Sequence, residues 1–339
     1  MNPMRGLAAH GAIFAVAALF AYRTWTYDES KEPKHGETEL WPGTPDQVQQ
    51  VEFEAKGGSL TLEPHQDTNG RYFVGEVKKP PGVEVKSPNS SEPAPPPKVT
   101  DIHFIAVKEG QDLLETLAPL RALRVLGKVT GNQQTEFGFD KEEGKLRLRE
   151  GGKEHTLVFG ASTPGGSDYY VKDAATGDAY VVAGSIYRDL SSADSRLVEH
   201  NLHGFESSAV ERVKLTAGSA SRELVRSASK KDAWTKPVAP NDHDDTATNF
   251  ITKLERLHTV NYEGETLNPP PTAADLVIKV EYFDAHKQIG FLELVRRPPT
   301  EKSDKPEYAA RTEHTRWYAT VIRSAAEQLD QDVKSVLTP

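Results

Sequence analysis

Two stretches of this chain repeat one another, and any fold that suits the first has to suit the second. Val48-Gln-Gln-Val51-Glu-Phe53 has the apolar spacing of Val210-Glu-Arg-Val213-Lys-Leu215, each a short alternating strand. Leu113-Leu114, Leu117, Leu120 and Leu123 match Phe250-Ile251, Leu254, Leu257 and Val260. That i, i+1, i+4, i+7, i+10 stripe predicts one apolar helix face. Tyr169-Tyr170 falls opposite Glu307-Tyr308, Ala179-Tyr180 opposite Trp317-Tyr318, and Ile186 opposite Ile322.

The offsets are consistent. Leu113 and Phe250 lie 137 apart, Tyr180 and Tyr318 138, and Ile186 and Ile322 136, whereas Val48 and Val210 lie 162 apart. A Pro-rich insertion, Pro80 to Lys98, with seven prolines, accounts for the longer first interval and favours extended polyproline II. Each copy then reads as strand, strand, amphipathic helix, several strands and a terminal helix. Expected strands are Lys145–Arg149, His155–Phe159, Tyr169–Lys172 and Ala179–Ala183, then Asp275–Phe283, Ile289–Arg296, Tyr308–Thr312 and Trp317–Val321. Glu150-Gly151-Gly152 and Ala175-Thr176-Gly177-Asp178 supply hairpin turns. The terminal helices are expected near Ser191, as an N-cap with Asp194 following, and near Ser324. Hairpin-joined strands between helices predict an α+β fold, with antiparallel sheets carrying helices on one face.

Ahead of the first copy, Gly6 to Tyr22 runs 17 residues without a formal charge. That is the short end of what crosses a bilayer as a helix. Arg5 precedes it, and Arg23, Trp25 and Tyr27 follow as interfacial anchors. A cleavable leader ending near Ala15-Val16-Ala17 would leave an apolar core of only Leu7 to Phe14. The expected organisation is a membrane anchor at residues 1–27, a tether at 28–46, a first α+β repeat at 47–205 and a second at 206–339. The expected location is the inner membrane, single-pass, with the bulk of the chain in the periplasm.

Charge and composition narrow the partners. The net charge is −9, and since only Arg5 among charged residues precedes residue 23, the remainder carries −10. An acidic body without a basic stripe does not track a phosphate backbone, so nucleic acid is not an expected partner. There are no cysteines, which removes disulfides, thiolate metal sites and cysteine nucleophiles together.

Several clusters could carry chemistry. Asn241-Asp242-His243-Asp244-Asp245 gathers oxygen ligands suited to a hard cation, but without calcium-loop spacing and just before a helix, where Asp commonly caps. His200 and His203 are three apart near an expected helix end, and a two-histidine zinc face usually wants i, i+4. Gly160-Ala-Ser-Thr-Pro-Gly165-Gly166-Ser lacks the Lys-Ser/Thr of a phosphate loop and reads as a connecting turn. Tyr169, Tyr170, Tyr180, Trp317 and Tyr318 could line a groove between the copies, though as alternating strand aromatics they read as core and cross-strand pairs. No residue is assigned a catalytic, cofactor-binding or metal role.

With these landmarks placed, the chain resembles the bacterial family designated domain of unknown function 4340. Trp234-Thr-Lys-Pro237-Val-Ala-Pro240 before the Phe250–Leu257 helix resembles the family's Trp-x-x-x-Pro element, with two residues rather than three between Trp234 and Pro237, and Asp168-Tyr169-Tyr170-Val171-Lys172 fits its Tyr-Tyr-Val strand. In the first copy Arg71-Tyr72-Phe73 stands where the Trp would be. The resemblance, read over residues 5–200 and extended by the repeat, implies an extracytoplasmic protein encoded beside ABC transporter components of the gliding-motility type. It implies no reaction. The expected function is a non-enzymatic binding or scaffold subunit of an ABC-type transporter or envelope complex. The alternative is an envelope hydrolase, or a binder of polysaccharide or cell-wall material, using the cleft between copies.

Overall fold

A computed structural model describes residues 37–81, 99–267, 269–299 and 304–338. The expected membrane segment and most of the proline-rich insertion lie outside the described residues. Among those described, no helix is long and apolar enough to cross a membrane.

The fold is α+β and rich in sheet. Its elements in the first half are β1 (Thr38–Trp41), β2 (Val48–Ala55), β3 (Gly58–Asp67), β4 (Gly70–Lys79), β5 (Thr100–Ala106), α1 (Lys108–Leu117), β6 (Leu120–Ala122), β7 (Arg124–Lys128), α2 (Gln133–Glu136), β8 (Gly144–Glu150), β9 (Lys153–Ser162), β10 (Tyr169–Asp173), β11 (Asp178–Val182), α3 (Gly184–Ser191) and α4 (Ala193–Arg196). The second half adds β12 (Arg212–Ala217), β13 (Ala220–Arg226), β14 (Trp234–Thr235), α5 (Asp245–Leu254), β15 (Thr259–Gly264), β16 (Leu276–Phe283), β17 (Gln288–Arg297), β18 (Glu307–Thr312), β19 (Tyr318–Val321) and α6 (Arg323–Leu337).

Two large sheets result, and their described pairings are antiparallel. The first runs β5-β4-β3-β2-β8-β9-β10-β11-β7 and the second β14-β13-β12-β16-β17-β18-β19-β15. Position by position the second order reproduces the first from β4 onward, including the strand after the helix that is carried to the far edge. Register agrees too. Val51 faces Leu62 and Leu148 across its neighbours, and Val213 faces Leu224 and Tyr282. Val51, Phe53, Val213 and Leu215 are all buried, which is what strict alternation on one covered face requires. Each such side chain contributes about 1.5–3 kcal/mol by leaving water.

Local chemistry explains the turns. Gly151 and Gly152 have φ of 54° and 79°, the pair of left-handed residues that a tight hairpin between β8 and β9 needs. On α1, a Cβ at Gly110 would come 2.4 Å from Phe73 Cδ2, so glycine lets the helix sit down on β4. The long helices of each half pack on one face of their sheet, where Leu113, Leu114, Leu117, Ile186 and Leu190 join the first core and Phe250, Leu254, Leu329 and Val333 the second. On the opposite face, small clusters around Phe139, Val158 and Ala179, and around Leu267, Val295 and Tyr318, are covered by the loops that follow β7 and β15.

Several expectations need correction. The Leu113–Leu123 stripe is helical only to Leu117. Pro119 lacks an amide hydrogen and disfavours helix at Ala118, so Leu120 lies on β6 and Leu123 is exposed. In the second half α5 stops at Leu254, Leu257 stays buried and Val260 sits exposed on β15. Ser191 itself ends α3, which begins at Gly184 directly after β11, and the short α4 starts two residues on with Ser192 at its N-cap position and Asp194 in its first turn. Helices α3 and α6 start at Gly184 and Arg323, which places Ile186 opposite Ala325 rather than Ile322.

The expected tether also contains structure: Thr38–Trp41 pairs with Leu120–Ala122, and the buried Trp41 ring stacks on His155 at 4.6 Å. The extra length of the first half is not the proline-rich insertion alone, since β5 has no counterpart in the second sheet. Outermost strands β5 and β15, one from each sheet, pack alongside each other.

Candidate functional site

The chain between the two sheets is held at almost every residue. After α4 it passes Glu199, whose amide donates to the Ile105 carbonyl of β5 (2.8 Å). The Glu199 carbonyl accepts from Thr259 Oγ1 and Tyr262 Oη, both at 2.9 Å, on β15. Its carboxylate is 4% exposed and meets the Asn201 amide (2.8 Å) and His314 Nε2 (3.1 Å). Burial pushes this carboxyl up, but the His314 and Asn201 bonds outweigh it and hold it below the ordinary carboxylate value.

Four residues on, His203 Nδ1 lies 2.9 Å from Glu313 Oε1, and the other Glu313 oxygen accepts the Phe291 amide at 2.8 Å. A carboxylate only accepts, so Nδ1 carries the proton in this contact. Nε2 is buried and has no partner. The ring stacks on Phe205 (centroids 4.7 Å apart) and meets Tyr282 edge-on at 4.7 Å. Burial raises the Tyr282 phenol far above its ordinary value, with Glu313 adding to the shift.

Glu313 and His314 are consecutive residues following β18, so one turn grips the connecting chain twice. Thr312 Oγ1 adds a bond to the Leu202 carbonyl. Beside this framework opens a cavity of about 520 Å³ lined by Lys108 of α1, by Glu199 and Asn201 to Ser207, by Glu255 and His258 after α5, and by Tyr282 and His314. That volume suits a small-molecule ligand. The His203–Glu313 pair has the form of a base with its orienting carboxylate, yet among the described residues no hydroxyl bonds Nε2, so no nucleophile is assembled there.

Of the residues singled out by sequence, only His203 has a place in this framework together with His200, whose Nδ1 lies 3.3 Å from the Thr259 carbonyl. They sit on the connecting chain, not at a helix end. Among the described residues no group of three metal-ligating side chains occurs. Asp244 caps α5 by accepting the Ala247 amide at 3.0 Å, and it pairs with the buried Arg222. Gly160–Ser167 is the end of β9 and the turn into β10.

The aromatics part company. Tyr169 stacks on Tyr187 (4.3 Å) and Tyr170 on Phe137 (4.5 Å), on opposite sheet faces. Tyr180 pairs with Val171, and Tyr318 is buried. Trp317 lines a separate 360 Å³ cavity between β5 and β15. Glu313, His314 and Tyr282 were not singled out by sequence. Their partners lie about a hundred residues away, and no local spacing marks them.

Among known families, the model for the domain of unknown function DUF4340 matches residues 111–276. The match runs from within α1 to the start of β16 and crosses the connecting chain, whereas the likeness expected from sequence lay over residues 5–200 and reached the rest through the repeat. No curated protein and no solved structure matches.

Proposed function

We propose that this chain, matched over residues 111–276 by the DUF4340 family model, is a non-enzymatic binding subunit whose ligand site is the cavity where its two sheets join. The carrying observation is that cavity: about 520 Å³, walled from both halves, with a His–carboxylate pair that has no nucleophile bonded to it. The matching strand orders support an origin of the two halves as copies of one domain, with the site created at their junction. The apolar Gly6–Tyr22 segment supports an inner-membrane anchor with the body in the periplasm, and the family resemblance supports an ABC-type transporter or envelope complex as the partner.

Mild solubilisation of membranes containing the full chain, followed by affinity purification, tests this reading. Recovery with transporter or envelope-complex subunits is the expected result. Recovery of the chain alone, or from the soluble fraction, would overturn it.

A second reading is favoured by the His203–Glu313 pair itself: hydrolysis of cell-wall or polysaccharide material in the same cavity. It requires turnover of such material by the purified chain that disappears in His203→Ala. An inactive wild-type chain rejects it.

A further inference from the structure

We propose that the junction cavity takes a small organic cation carrying a primary ammonium group, an inference that rests on the binding reading above and names its ligand class. The cavity defines the place, and its wall defines the chemistry. Glu199, Glu206 and Glu255 bring three carboxylates to the lining against the single ammonium of Lys108. Lys108 is bonded to Asp112 and Glu199 to His314. Glu206 and Glu255 are exposed, and among the described residues neither is in an ion pair; Glu255 accepts only the Ser207 hydroxyl.

Two aromatic rings complete the wall. Phe205 and Tyr282 lie 5.5 Å apart, tilted by 56°, and ring faces of this kind attract a cation that has shed water. His203 lines the cavity as well, its Nε2 buried and without a partner. The carboxylates and the ring faces select the same partner: a positively charged group. A carboxylate or phosphate ligand would meet uncompensated charge of its own sign. A neutral polyol would satisfy the acceptors but draw nothing from the two unpaired carboxylates or the rings.

The test uses the full chain in detergent at low ionic strength, where screening is weak. n-Butylammonium, n-butanol and n-butyrate are titrated by ligand-observed NMR. The expected result is saturable binding of n-butylammonium, at least tenfold tighter than of either isostere. That binding should weaken at least tenfold in a Glu206→Gln/Glu255→Gln double variant and stay unchanged in Glu142→Gln, an exposed carboxylate outside the cavity. Both cavity carboxylates are exposed, so the double variant should keep its fold; an unchanged thermal midpoint checks it. Equal or tighter binding of n-butanol or n-butyrate overturns the cation assignment, as does unaltered affinity in the double variant or no binding of n-butylammonium. None of these outcomes bears on whether the chain purifies with membrane partners, so the two proposals fail separately.

Discussion

Arg316 and Asp67 lie 249 residues apart and meet in a two-pronged ion pair, Nε to Oδ2 at 3.1 Å and Nη2 to Oδ1 at 3.2 Å. The guanidinium also lies 4.6 Å from the centre of the Tyr72 ring. The same turn that grips the connecting chain through Glu313 and His314 therefore reaches the β3–β4 hairpin of the first sheet. Asp67→Asn leaves the 9%-exposed Arg316 without its charged partner and should destabilise the chain by about 1.5–3 kcal/mol. Denaturant unfolding measures it, and Asp46→Asn, which removes only the charge of the 90%-exposed partner of Arg71, should cost clearly less.

Glu199 sets an acid limit. Its folded pKa lies below the ordinary 4.5, so its contribution is fully present above that value and is lost as pH falls through the folded pKa. Asp67 and Asp244, also lowered, act in the same direction below 3.8. The thermal midpoint should fall as pH drops below about 4.5. Glu199→Gln should be less stable at neutral pH and show a shallower fall in that window, which scanning calorimetry across pH reads directly.

The broken helical stripe gives a matched pair. Leu117→Ala removes a fully buried side chain and should cost about 2–5 kcal/mol. Leu123→Ala, at 39% exposure, should stay within about 0.5 kcal/mol of wild type. Similar losses in both variants would mean that the helix runs on past Pro119.

Asp244 separates capping from metal binding in the Asn241–Asp245 cluster. Asp244→Ala removes a helix cap and leaves the buried Arg222 unpaired, at a cost of about 2–4 kcal/mol. Asp242→Ala, on an exposed side chain, should cost less than about 0.5 kcal/mol. A chelator should move neither midpoint. A drop on adding EDTA would point to an ion instead.

Much of the sheet was legible because burial on one face writes a period of two into the sequence. Val51, Phe53, Val213 and Leu215 carry it, as do the eight strands expected after the helices, each found within three residues of its bounds. Helix limits were less legible. Leu120 and Leu123 continue a helical period by chance of spacing, and only the backbone restriction at Pro119 ends it.

Strand β5 and the Thr38–Trp41 strand were hidden for another reason: their partners are fixed by tertiary pairing rather than by local pattern. The site was the least legible part. His203 could be singled out as a histidine, but Glu313 and His314 acquire meaning only once the second sheet folds back onto the connecting chain. Arg71-Tyr72-Phe73, which looked like a poor stand-in for Trp234, is a fair one in space. Arg71 lies 5.3 Å from the Phe73 ring centre and Arg226 4.9 Å from that of Trp234, each aromatic buried on the strand at the equivalent place.

The side-by-side packing of β5 and β15 covers one edge of each sheet. An outermost strand offers a free ladder of amides and carbonyls on which another chain can grow, and a long apolar one invites fibres. Here each sheet lends its end strand as a shield for the other. A protease cut within the connecting chain that let the halves drift apart would uncover two such ladders at once.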